Sequence, residues 1–171
     1  MTVHPWKRDL RARCEATFDF LVGEHDCRKR GRFIPQGLEV FYWNTTTGVR
    51  VLTMNRDPFT VDLCVLPEGG FPPRKDEYGA GRRIQWFDAF QAVKLVTGER
   101  PRFSDNQLYG NDQAVLDAYA DALRGPCRPL LRSTDDPLWA RLERQLNGVI
   151  AVNKRRVAAI ERSWGLAERA E

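Results

Sequence analysis

His25 and Cys27 stand two residues apart beside Asp26, where an imidazole and a thiol could act together. Two chemistries use that pairing. A structural metal site needs four ligands at close paired spacings. Cys14, Cys64 and Cys127 are scattered singly and His4 is far upstream, so neither a metal nor a cofactor is expected. A thiol nucleophile needs a base and an orienting group around it. No such local motif surrounds any of the four cysteines, and Cys14 and Cys64 fit buried positions, where free Cys behaves as a small hydrophobe. The acidic residues Glu39 and Asp62 would make a negative spot, and a general acid or base, if they shared the open face of a sheet. Ordinary solvent-facing carboxylates are the simpler reading. With no Gly-rich phosphate loop either, the chain is expected to bind rather than to catalyse.

The elements that would position these groups follow from hydropathy. Pro5 to Val22 predicts a helix, with Trp6, Leu10, Cys14, Phe18 and Leu21 in one stripe and Gly23 as its stop. Glu24 to Gly31 reads as a polar loop holding most of a basic run, Arg28, Lys29, Arg30 and Arg32. Leu38–Trp43, Val49–Met54 and Phe59–Leu66 predict three antiparallel strands, with a weaker fourth near Arg32–Ile34. Phe59, Val61, Leu63 and Val65 should face the core. Phe41, Tyr42 and Trp43 put aromatics on both faces of one strand, and helices are expected to cover both. The Gly- and Pro-rich stretch Pro67–Arg83 has no apolar period and predicts a long loop. Helices follow over Gln85–Thr97 and Asp112–Leu123, with a short turn near Pro129–Arg132. From Asp136 a last helical pattern runs through Leu142, Leu146, Val149, Ile150, Val157, Ile160 and Trp164, with a bend plausible at Gly148. The expected architecture is a single α+β domain over 1–171. It is an antiparallel three- to four-stranded meander packed against N-terminal and C-terminal helices.

With 42% hydrophobic residues, 171 residues suffice to bury one core without disulfides. No apolar run approaches the roughly 20 residues that span a bilayer, and the N-terminus lacks the apolar stretch of an export signal. A cytoplasmic protein without a membrane segment is expected. The net charge of +4 sits at the ends. Met1–Arg32 holds eight basic and five acidic residues, and Pro137–Glu171 holds seven and four. That bias favours an acidic partner.

The order of elements resembles the small α+β immunity-type domains of bacterial polymorphic and contact-dependent toxin systems. Phe18, Phe20 and Leu21 close the first helix. Val40, Tyr42 and Asn44 lead into Val49 and Val51, Ile84–Val93 opens the helical half, and Leu116–Leu146, with Leu130, Leu131 and Leu142, resembles the closing helices. The long Pro67–Gly81 stretch and the basic tail after Gly148 depart from that pattern. The resemblance implies a non-enzymatic binder of one protein, with no catalytic residues. Immunity proteins often present acidic surfaces, so this net basic chain is not expected to meet a basic nuclease toxin.

Three functions stay open. The first is an immunity- or defence-associated protein binder. Its partner-binding candidates are Phe71, Arg74, Lys75, Tyr78, Arg82 and Arg83, aromatic and basic anchors within the long loop. The second is a nucleic-acid-binding accessory protein using Arg28, Lys29, Arg30, Lys154, Arg155 and Arg156 through salt-sensitive phosphate contacts. The third is an enzyme whose site lies around Pro67–Arg83 and the acidic residues of the sheet.

Overall fold

The alternation that predicts strands after Gly37 is met by a five-stranded antiparallel sheet. The computed structural model describes residues 5–35, 37–54, 59–66, 86–103 and 113–163. The strands are β1 (Arg28–Ile34), β2 (Gly37–Trp43), β3 (Thr47–Met54), β4 (Thr60–Val65) and the two-residue β5 (Phe87–Asp88), in spatial order β1-β2-β3-β4-β5. The class is α+β, with helices before and after the sheet.

The register explains why one face is buried. Leu38, Val40 and Tyr42 of β2 oppose Thr53, Val51 and Val49 of β3, and Val61 and Leu63 of β4 continue the rows. All of these are buried. Phe59 just ahead of β4 joins the core, while Val65 at its end is exposed. The β2–β3 turn is organised by Asn44, whose Oδ1 accepts from the N–H groups of Thr46 at 3.0 Å and Thr47 at 2.9 Å. Gly37 is required where it stands: a Cβ there would lie 1.8 Å from the carbonyl oxygen of Thr53.

Helices α1 (Pro5–Thr17), α2 (Phe20–His25), α3 (Ala89–Thr97) and α4 (Gln113–Arg124) supply the other side of the core. Leu10 and Cys14 of α1 face it. Phe90 of α3 stacks on Tyr119 of α4 at 3.7 Å between ring centroids. A 3-10 turn (Arg128–Leu131) leads to α5 (Pro137–Ser163), whose start is fixed by Asp136 accepting from the N–H of Leu138 at 2.8 Å.

Five local expectations are corrected. The first helix is two, because Phe18 and Asp19 form a turn; the stripe survives since Phe18 and Leu21 stay buried. Gly23 lies inside α2, and the stop falls at Asp26, with φ 53°. Most of the basic run is no loop but edge strand β1, whose neighbour on only one side leaves its charges in water. Trp86 and Phe87 precede the helix they were assigned to, because Asp88 caps α3 by accepting from Phe90 N–H at 2.6 Å. Gly148 does not interrupt α5.

Candidate functional site

Burial disfavours the thiolate form of all four thiols. Burial pushes Cys14, Cys64 and Cys127 up to about 12 and Cys27 to about 11. All four are free and buried. His25 is buried with its ring edge-on to Phe20 at 6.3 Å. Burial lowers its pKa, Glu24 opposing and Arg132 assisting, so the ring is a neutral core group. Among the described residues no three His, Cys, Asp or Glu side chains group to hold a metal ion, and no helix is long and apolar enough to cross a membrane.

The chemistry-bearing groups converge instead on the second face of the sheet. The register sets Arg30, Phe41, Arg50, Asp62 and Asp88 in one row across the five strands. Arg32, Glu39, Leu52 and Thr60 form the next row, and Arg28, Trp43, Gly48 and Cys64 flank the first on its other side. None of these belongs to the hydrophobic core cluster, which takes from the sheet only side chains of the opposite face. Phe41 and Trp43 are half-buried. The expectation that helices cover both aromatic faces therefore fails among the described residues: Tyr42 faces the helices, while Phe41 packs against Trp86, ring centroids 6.2 Å apart.

Electrostatics sort this face into a neutral centre and a positive border. Glu39 is buried and ion-paired with Arg32, whose guanidinium lies over the ring of Phe41. Arg50 donates to one Asp62 oxygen from Nε at 3.2 Å and Nη2 at 2.7 Å, and it stacks over Trp86 at 4.5 Å. Asp88 accepts from Arg100 at 2.9 Å. Burial raises the Asp88 carboxyl above its ordinary range; Arg100 and the Phe90 N–H oppose, and the charge of Asp62 assists. Glu39 and Asp62 do share a face, but not as the solvent-facing carboxylates expected: both are largely buried and paired with arginines, so no negative spot results. The sequence reading assigns no site role to Arg50, Trp86 or Arg100, and places Arg32 only in the basic run. The alternation of Arg28, Arg30 and Arg32 was the available signal for the border.

The basic run divides. Arg28 and Arg30 are exposed on the second face with no ion pair among the described residues. Lys29 turns to the helical side, 3.7 Å from Glu15 and 3.5 Å from Asp19. Lys154, Arg155 and Arg156 are exposed on α5, an element that packs on α3. Phe71, Arg74, Lys75, Tyr78, Arg82 and Arg83 lie outside the described residues. A shallow hollow of about 950 Å³ opens where α3 ends, lined by Lys94, Arg100 and Arg102 with Glu99 among them. It mixes charges at a helix C-terminus, whose dipole already suits cations.

No protein-family model, no curated protein and no solved structure matches the chain.

Proposed function

We propose that the chain is a non-enzymatic binding protein whose exposed edge strand β1, through Arg28 and Arg30, meets an acidic protein surface. The sorting of charge on the second face of the sheet carries this reading. Each described carboxylate there has an arginine, while Arg28 and Arg30 are left without one among the described residues. Exposed arginines without an ion partner among the described residues have the character of interface anchors. Their positive potential speeds encounter with an acidic partner. The immunity-type resemblance fits a protein of this kind, with the partner carrying the acidic surface.

A second reading has its own observation. Arg28 and Arg30, exposed along β1, supply phosphate-seeking cations of the kind a nucleic-acid-binding surface uses.

Affinity capture separates the two. Tagged wild type and Arg28→Glu plus Arg30→Glu protein are passed over nuclease-treated lysate of the source organism, and retained proteins are identified by mass spectrometry. A protein held by the wild type and lost by the variant is expected. Equal retention by both would overturn the proposal. Retention seen from untreated lysate but absent from the nuclease-treated lysate, with tight binding of a labelled oligonucleotide, would favour the second reading.

A further inference from the structure

Three exposed arginines follow one another where the helical half turns back to the sheet. Arg124 ends α4, Arg128 opens the 3-10 turn, and Arg132 closes it. The turn is held from beneath by the buried residues Cys127, Leu130 and Leu131. Asn44, just past β2, donates to Leu131 O at 3.3 Å and to His25 O at 3.4 Å. Those bonds bring the turn and the end of α2 to one end of the sheet. Arg28 of β1 stands at the same end, because it pairs with Trp43, the residue before Asn44. Arg124 lies over the ring of Phe20 at 4.0 Å, and Phe20 meets the His25 ring edge-on.

Charge is not balanced at this end. Elsewhere Arg11, Arg13, Arg32, Arg50 and Arg100 are paired with carboxylates. Arg28, Arg124, Arg128 and Arg132 make no ion pair among the described residues, although Glu24 and Asp26 flank His25 and are exposed. Burial holds the His25 pKa down, with Arg132 and Arg128 assisting and Glu24 and Asp26 opposing, so the charges of the turn are felt at the ring.

We infer that these four arginines form one carboxylate-binding cluster that takes an acidic segment of a protein partner. The inference deepens the reading that Arg28 and Arg30 meet an acidic protein, and it rests on that reading for the partner's chemistry. It carries the surface round the end of the sheet onto the 3-10 turn. The four cations are all arginine. A guanidinium can hold a carboxylate through two parallel N–H donors, and arginine is enriched at protein interfaces where lysine is depleted. Stacked nucleobases need open ring faces, and the Phe20 face is taken by Arg124. The anchored turn and the stacked Arg124 are already ordered, which lowers the cost of binding.

The test uses a fluorescent oligo-glutamate peptide, its binding to the full chain read by anisotropy. The wild type is expected to bind it, and to bind it less well as salt is added. Arg128→Ser plus Arg132→Ser is expected to weaken binding about tenfold. The thermal melt of that variant should not change, since both positions are exposed. Lys154→Ser plus Arg155→Ser removes the same charge from α5 and is expected to weaken binding less than about twofold. Bound carboxylates would offset Arg128 and Arg132, so the His25 pKa, read from its ring NMR signals, is expected to rise with peptide. His25→Gln identifies those signals. Absence of binding, equal weakening by the two charge-matched pairs, or a His25 pKa that the peptide does not move would each overturn the cluster. So would tighter binding of an oligonucleotide of equal charge. Arg28→Ser plus Arg30→Ser separates the two readings. If it alone weakens binding, the cluster falls and the reading of β1 stands. If only the Arg128 and Arg132 pair weakens it, the cluster stands on the turn and the reading of β1 falls.

Discussion

Removing the two halves of the Arg50–Asp62 pair should have unequal effects, and the inequality tests how the centre of the sheet face is built. The side chains are 22% and 13% exposed, between a surface pair and a buried one. Exposed pairs contribute up to about 1 kcal/mol, and breaking a buried pair costs about 3–5 kcal/mol. Asp62→Ala leaves the Arg50 guanidinium stacked on Trp86, a setting that tolerates a cation, so a loss of roughly 2 kcal/mol is expected. Arg50→Met instead leaves the Asp62 carboxylate beside Asp88, its cross-strand neighbour, with no counter-charge of its own. Burial and the charge of Asp62 already raise the Asp88 carboxyl, so this loss should be larger, roughly 3–4 kcal/mol. The double variant removes the stranded charge and should fall short of the sum by at least about 1 kcal/mol. For a chain of this size each kcal/mol is worth about 2–4 °C in Tm. Urea denaturation of the four proteins at neutral pH measures the cycle. Additive losses, or an Asp62→Ala protein less stable than Arg50→Met, would refute the picture of a neutralised centre.

Tyr42 is fully buried with a hydroxyl that has no hydrogen-bond partner, so Tyr42→Phe should raise the urea midpoint, with a gain of about 1 kcal/mol; a lower midpoint would refute it. His25 supplies the pH-dependent prediction. Its pKa is lowered in the fold, chiefly by burial, so the unfolded chain takes up a proton that the folded chain refuses. The stability that His25 contributes is therefore present above the unfolded value of about 6.5 and is lost as pH falls below it. His25→Gln should flatten that part of the stability profile, and an unchanged slope would show the assignment wrong.

Strands β2, β3 and β4 were legible because a strand with one buried face writes a period of two into the sequence. β1 was not. It is an edge strand whose exposed charges erase the apolar alternation, and such charges guard an edge against unwanted pairing. Trp86 and Phe87 matched a helical stripe by spacing alone, and the Asp88 cap was the overlooked signal. Gly148 looked like a break, yet it sits exposed with nothing within 4 Å of a built Cβ, and a cost of about 1 kcal/mol is absorbed by a long helix. The site was harder than the fold. Alternation says which face a residue takes, whereas the contact of Arg50 with Asp62 and Trp86 depends on register between strands far apart in sequence.

The choice between binding and catalysis turns on where charge is left over. A general acid or base works with its proton poised, so it stands in a setting that tunes it and keeps it accessible to substrate. Asp62 and Glu39 are committed to arginines, and Asp88 both caps α3 and holds Arg100. The four thiols and His25 are buried in neutral form. Arg28 and Arg30 along β1 and Lys154 to Arg156 along α5 are exposed cations with no ion pair among the described residues. Fixed cations beside aromatic or aliphatic surface provide attraction and contact area without a proton to transfer.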